Sequence, residues 1–205
     1  MRKKLTQSSK NNWDSVYSTK PEKYKIIFNS PVIITFTILS FIVLILSYVT
    51  LGTSTNLIFS TSRGSLLNPL TYLRMFTYIL GHSGFQHWFN NFLLILVVGP
   101  SLEEKYGSKK LLSLILITAF ATALVNNIFF TTGLVGASGI AFMMILLSSF
   151  TNAKNKSIPF TFILVAIMYL GQEIFNCLTA DDISQFAHIF GGIVGSVAGF
   201  VINKK

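Results

Sequence analysis

The sequence predicts an all-α membrane protein, built as a bundle of six transmembrane helices with both termini in the cytoplasm. Of its 205 residues, 51% are hydrophobic and 11% are charged, a balance typical of a chain that lies mostly in lipid. The basic residues recur between apolar runs instead of forming one patch, which argues against nucleic-acid binding. A single cysteine, Cys177, excludes an internal disulfide and a cysteine-rich metal site.

The first 30 residues are predicted to form a basic cytoplasmic tail, and residues 31–205 the membrane domain. The tail has seven Lys and Arg residues against Asp14 and Glu22, so we expect it to touch anionic lipid. The first apolar run extends from Pro31 to about Leu51. It is too long for a cleavable signal and long enough to cross about 30 Å of hydrocarbon at about 1.5 Å per residue.

The next stretch, residues 52–86, is too apolar for a solvated loop and too broken to span the bilayer. An interfacial hairpin or a pair of short helices is the expected structure. Further apolar runs predict five more spans, at about residues 87–102, 110–130, 138–152, 158–178 and 185–202.

Orientation follows from the basic residues, which collect in cytoplasmic loops. With the N-terminus inside, fourteen of the sixteen Lys and Arg residues fall on the cytoplasmic side, and only Arg63 and Arg74 fall outside. The second, fourth and sixth spans then begin at the outer face.

Four polar residues share one depth near that outer face. Ser138 and His188 each lie sixteen residues before a lysine that ends their span, or about 24 Å above the cytoplasmic boundary at about 1.5 Å per residue. His87 and Asn91 lie eighteen and fourteen residues before Lys105, at about 27 and 21 Å. A serine, two histidines and an amide therefore converge in one slab of the membrane.

These residue types suit acyl transfer, although each also suits helix packing. A serine within hydrogen-bond reach of a histidine is the minimal activated nucleophile, and Gly191 and Gly195 share a face with His188 that would let its helix approach a neighbour closely. His87 and Asn91 share one face and could donate to an oxyanion, or could simply clasp two helices together.

Other chemistries fit poorly. His82 and His87 are five residues apart, about 140° around a helix, so they would not chelate a metal from one face. The chain has no His-Glu-x-x-His motif and no aspartate within a predicted span. Glu173 lies near the same level as Ser138, where we expect it to face a watery opening. No metal or cofactor is predicted.

Four segments resemble, together and in order, motifs of the rhomboid family of intramembrane serine proteases. Gly136-Ala137-Ser138-Gly139 is similar to its Gly-x-Ser-Gly nucleophile motif. Ala187-His188-Ile189-Phe190-Gly191 with Gly195 is similar to its Ala-His-x-x-Gly-x-x-x-Gly motif. The run from His82 to Asn91 resembles the start of the family's second helix, and Glu103 to Gly107 resembles its Glu-x-x-x-Gly element.

The resemblance implies a role for individual residues. Ser138 would be the nucleophile and His188 the general base and acid, while His87 and Asn91 would bind the oxyanion. Supporting positions would be Gly136, Gly139, Phe142, Gly191, Gly195, His82, Arg74 and Glu103. Two positions depart from the family: Leu73-Arg74 stands where Trp-Arg is usual, and Phe142 stands where a tyrosine often stacks on the catalytic histidine.

The resemblance also implies a substrate, the transmembrane helix of another protein, cut near its outer end. That helix would enter past the fifth span, with residues 180–184 as a movable cap. We expect the protein in a cell membrane, as in the inner or plasma membrane of bacteria, with lipid and substrate helices as its partners.

Two other functions are considered. A non-catalytic relative that binds and escorts membrane proteins is disfavoured because Ser138 and His188 are both present. A small transporter is disfavoured because the two halves show no repeat.

Overall fold

The computed structural model describes residues 28–151 and 185–202, together with six residues between these ranges. Its helices are α1 (Pro31–Val49), α2 (Thr53–Leu57), α3 (Pro69–Thr77), α4 (Phe85–Tyr106), α5 (Ser108–Phe129), α6 (Ser138–Thr151) and α7 (Gln185–Ile202). The six further residues are helical, exposed and spaced as one face of a helix: Phe160, Ile163, Leu164, Ile167, Met168 and Gly171. They fall in the predicted fifth span. Cys177, Glu173, residues 1–27 of the N-terminal tail and the 180–184 loop lie outside the described residues.

The described helices have the composition and surface of a membrane protein. α1 and α5, of 19 and 22 residues, have mean hydropathies of 2.7 and 2.0 and are long enough to cross a bilayer. Large apolar side chains face outward along α1, where Ile38 is 54% and Ile42 is 53% exposed. Such a surface would be unfavourable in water and suits lipid. The number of spans and their orientation stay predictions.

Helix α6 lies at the centre of the described bundle. Each residue from Ser138 to Ile145 is buried, and α6 is packed by α4, α5 and α7, while α1 packs against α4. Its apolar side chains join one core with residues of the surrounding helices, among them Ile95, Leu114, Ile140, Met143 and Met144. A helix that is apolar on every side is typical of such a central position.

The predicted second span ends too early, because α4 continues beyond Leu102 to Tyr106. The charged segment was expected to stop the helix. Instead the carboxylate of Glu103 is buried and accepts the N–H groups of Val32 and Ile33, at 3.0 and 3.1 Å. These donors open α1 and have no partner within that helix. Ser108 also donates to Glu103, at 2.7 Å, so one carboxylate joins the ends of three helices.

The stretch between α1 and α4 contains the expected pair of short helices, α2 and α3. α3 begins with Pro69 as its first residue, and the side chain of Asn68 caps it by accepting the N–H of Leu70 at 3.0 Å. Arg74 Nε donates to the carbonyl of Leu57 at 2.8 Å and so ties α3 to the end of α2.

Candidate active site

The loop that leads into Ser138 is fixed by backbone hydrogen bonds from two other segments. Thr61 and Leu134 exchange both of their N–H···O bonds, at 2.9 and 2.7 Å. Two residues further on, the N–H of Gly136 donates to the carbonyl of Tyr78 at 3.1 Å. Ser138 then opens α6 and is only 2% exposed. Its hydroxyl is therefore held at the buried start of the central helix.

His87 and Asn91, which share one face of α4, lie against this loop. A Cβ atom added to Gly136 would stand 2.7 Å from both Cε1 and Nε2 of His87, and 3.5 Å from Nδ2 of Asn91. Gly136 also has a φ of +114°, which a residue with a side chain rarely adopts. A glycine is therefore required here both by the backbone conformation and by the approach of the two polar side chains.

Asn91 carries a buried donor that is not satisfied within the described residues. The residue is 4% exposed, and among those residues its Nδ2 has no hydrogen-bond partner. A buried amide donor left without an acceptor costs about 1–3 kcal/mol, so such groups in native structures call for an explanation. An anionic oxygen bound beside Gly136 would supply the acceptor.

His82 accepts a backbone hydrogen bond from the same loop. Its Nε2 accepts the N–H of Ala137 at 3.4 Å, which leaves Nδ1 as the protonated nitrogen of a neutral ring. Nδ1 lies 3.3 Å from the carbonyl of Leu80 and 3.4 Å from Ser40 Oγ. Burial, and then the charge of nearby His87, lower the pKa of His82 to about 3, against the opposing effect of Leu80. The ring is therefore neutral near pH 7, as its acceptor role requires.

The two histidines of this region are closer than their spacing suggested. His82 lies in the loop before α4, so the helical rotation used to separate it from His87 does not apply. Their ring centroids are 4.9 Å apart in an edge-to-face arrangement. Among the described residues no group of three or more His, Cys, Asp or Glu side chains could hold a metal ion.

Glycines of α7 allow it to touch both α5 and α6. A Cβ at Gly191 would overlap the hydroxyl of Thr122, and one at Gly195 would overlap that of Thr118. Gly192 contacts α6, because a Cβ there would overlap the ring of Phe142, and a Cβ at Gly195 would stand 2.7 Å from Met143 Cγ of the same helix. The predicted face of Gly191 and Gly195 thus packs mainly on α5 and reaches α6 at Gly195, while Gly192 adds a second approach to α6.

His188 is part of α7, but its side chain lies outside the described part of the structure. The helix contacts nevertheless limit where its backbone stands. His188 is one turn before Gly192, and Ser138 is one turn before Phe142, the residue that Gly192 meets. Both residues therefore lie one turn from the same contact between α6 and α7.

The remaining predicted residues occupy supporting positions. Gly139 is buried as the second residue of α6. Arg74 and Glu103 act elsewhere, through the hydrogen bonds of α3 and of the three helix ends described above. Glu103 is sixteen residues after His87, about 24 Å along α4 at about 1.5 Å per residue. Arg74 and Glu103 thus stabilise the fold through these hydrogen bonds.

Two residues near the site were not singled out from the sequence. Ser83 Oγ lies 3.0 Å from Nδ1 of His87, and its signal would have been the spacing of four residues to that histidine. Gly192 meets Phe142, and the glycine periodicity alone favoured its neighbours.

Comparisons with known proteins give a consistent family. A family model described as Rhomboid domain matches residues 69–205. The chain is 31% identical over 136 residues to RHOMBOID-like protein 1 of Arabidopsis thaliana, covering 62% of this chain and 34% of that protein. It is 27% identical over 161 residues to Rhomboid-related protein 2 of Mus musculus, covering 68% and 53%. With Rhomboid protease GlpG of Haemophilus influenzae it shares 25% over 134 residues, covering 64% and 70%. The chain spans about a third to a half of the length of the Arabidopsis relatives that it matches.

Proposed function

The chain belongs to the rhomboid family, and we propose that it is an intramembrane serine endopeptidase that uses Ser138 and His188 as a catalytic dyad. Membership makes it a multi-pass membrane protein. The relative from Haemophilus influenzae is named a protease, which supports the proposal at the level of the family. The proposal for this chain depends on its own residues.

The observation that carries the proposal is the arrangement at Gly136. His87 and Asn91 both face this residue, two positions before Ser138, and the buried Asn91 Nδ2 has no acceptor within the described residues. Donors fixed beside a nucleophile stabilise the charge that develops in a tetrahedral intermediate. The backbone N–H of Ser138, at the first position of α6, would be a third donor.

The reaction follows the usual course of serine-type acyl transfer. Ser138 Oγ attacks the scissile carbonyl carbon while His188 takes the hydroxyl proton, and the carbonyl oxygen becomes the oxyanion. The C–N bond then breaks as His188 gives that proton to the leaving amine. Water, with its proton taken by His188, hydrolyses the acyl-enzyme and restores Ser138. The contact of Gly192 with Phe142 supports this pairing, because one turn back on each helix lie His188 and Ser138.

The proposed substrate is a transmembrane helix of another protein, unwound near its outer end so that its backbone can reach Ser138. The carbonyls of an intact helix are already hydrogen-bonded within it, so cleavage requires local unwinding. From the family resemblance, we also propose that the substrate helix enters past the fifth span and that the 180–184 loop moves to admit it. Six spans, cytoplasmic termini and location in a bacterial inner or plasma membrane are likewise part of the proposal.

The test is cleavage of a model transmembrane substrate by the purified protein in lipid vesicles. Ser138→Ala and His188→Ala should each lower the rate by several orders of magnitude, by analogy with soluble serine proteases. Ser113→Ala is a matched control, because its exposed hydroxyl donates to the carbonyl of Lys109, one turn earlier on the same helix, and it should cleave normally. Substrate binding without cleavage by the unmodified protein would favour an escort function. Equal cleavage by all variants would exclude the dyad.

A further inference from the structure

We propose that Ser83 is a positioning residue for His87, whose imidazole it holds in the tautomer that carries its proton on Nε2. This inference rests on the proposed function, because it gives His87 its role as a donor to the oxyanion. Ser83 lies just before the start of α4, within the run from His82 to Asn91, but the resemblance gave it no role.

The two nitrogens of the His87 ring have different neighbours. Ser83 Oγ lies 3.0 Å from Nδ1. Cε1 and Nε2 are the ring atoms that a Cβ at Gly136 would meet at 2.7 Å. Ser83 therefore contacts Nδ1, and Nε2 is the ring nitrogen that lies nearer to the loop of Ser138.

In a neutral imidazole the protonation states of the two nitrogens depend on each other. Such a ring has one N–H donor and one acceptor nitrogen, and the hydrogen bond made by one nitrogen sets the state of the other. When the Ser83 hydroxyl donates to Nδ1, the proton of His87 must sit on Nε2 and can be donated toward an oxyanion. With the proton on Nδ1 instead, Nε2 would present a lone pair to the negative oxygen and would raise the barrier.

The neighbouring histidine does not compete for this arrangement. His82 lies edge-to-face with His87, but its Nε2 accepts from Ala137 and its Nδ1 lies beside Leu80 and Ser40. Ser83 is exposed, so water can replace part of its effect. We therefore expect a moderate contribution, about that of one ordinary hydrogen bond.

The first test separates kcat from KM for cleavage by the full chain in lipid vesicles. Ser83→Ala should lower kcat about 3–10-fold, which corresponds to the loss of about one hydrogen bond. KM should stay unchanged, because the oxyanion exists only in the transition state. Ser83→Thr keeps a hydroxyl on Cβ and should restore kcat, while Ser113→Ala should behave as the unmodified protein. A normal kcat in Ser83→Ala, or a change confined to KM, would overturn the inference.

The second test is a double-mutant cycle with His87. In a His87→Ala background, Ser83→Ala should cause no further loss, whereas in Asn91→Ala it should cause the same 3–10-fold loss. An equal loss in the His87→Ala background would show that Ser83 acts by another route and would refute the inference. Ser138→Ala, measured alongside, separates a failure of the proposed function from a failure of the role of Ser83. If it still cleaves, the proposed function fails; if it is inactive while Ser83→Ala is normal, only the role of Ser83 fails.

Discussion

Gly136→Ala is the substitution whose effect the structure defines most closely. The residue has a φ of +114°, and an added Cβ would lie 2.7 Å from Cε1 and Nε2 of His87. The contact is with the outer end of the half-buried His87 side chain, so the ring can shift, but the shift would take it away from the site. Alanine would therefore disturb both the backbone before Ser138 and a proposed oxyanion donor.

The expected magnitudes come from these two effects. Holding a non-glycine residue in a sparsely populated φ region costs about 1–3 kcal/mol of stability. Displacing one oxyanion donor costs about 10²–10³ in kcat. We expect Gly136→Ala to unfold at lower temperature and to cleave a model transmembrane substrate at least about 100-fold more slowly, per folded molecule.

The assay compares Gly136→Ala with Gly133→Ala, measured for thermal unfolding and cleavage in the same detergent. Gly133 precedes the same helix, but its φ is not in the positive range, and among the described residues a Cβ there would meet only Thr61 O, at 3.9 Å. The control should retain near-normal stability and activity. If Gly136→Ala cleaved as fast as Gly133→Ala, the contact between Gly136 and His87 would not matter for function.

Three further predictions concern the structure around the site. Glu103→Ala removes the acceptor of three buried or partly buried donors, so it should destabilise the fold by about 2–5 kcal/mol. The measurement is a lower Tm, and the molecules that remain folded should have a near-normal kcat. Gly192→Ala should lower activity by forcing α7 from α6, whereas the control Gly133→Ala should not; equal activities would contradict that packing. Burial lowers the pKa of His82 from 6.5 to about 3, so as the pH falls this histidine is protonated in the unfolded chain before it is protonated in the folded one. The free energy of unfolding should therefore fall as the pH drops from about 6.5 toward 3, by about 4–5 kcal/mol in all. His82→Gln should flatten that unfolding profile, and an unchanged slope would refute the assignment.

Much of the helical framework follows from local signals. α7 has the predicted bounds, and α6 begins at Ser138 as its small-residue segment indicates. The shared face of His87 and Asn91 follows from a spacing of four residues on one helix, and the structure places both beside Gly136. These features depend on chain-local periodicity, which a single sequence contains.

The features that sequence reasoning missed depend on contacts between distant segments. α4 passes through a charged segment because α1 presents two backbone donors to Glu103, some seventy residues away in sequence. His82 and His87 meet because α4 begins only at Phe85, so His82 lies in the loop before the helix. Gly192 contacts Phe142 of α6, which the glycine periodicity did not indicate, because the crossing of three helices decides which glycine faces which neighbour. The roles of Ser138 and His188 stay predictions that such contacts support.

The most direct test of the proposed dyad is to locate the reactive serine by mass spectrometry after treatment with a fluorophosphonate. This electrophile transfers its phosphonyl group to an activated serine oxygen and releases fluoride. We expect one adduct, on Ser138, that forms at least about 100-fold more slowly in His188→Ala. Full substrate cleavage without an adduct on Ser138, or an adduct that forms equally fast in His188→Ala, would contradict the account.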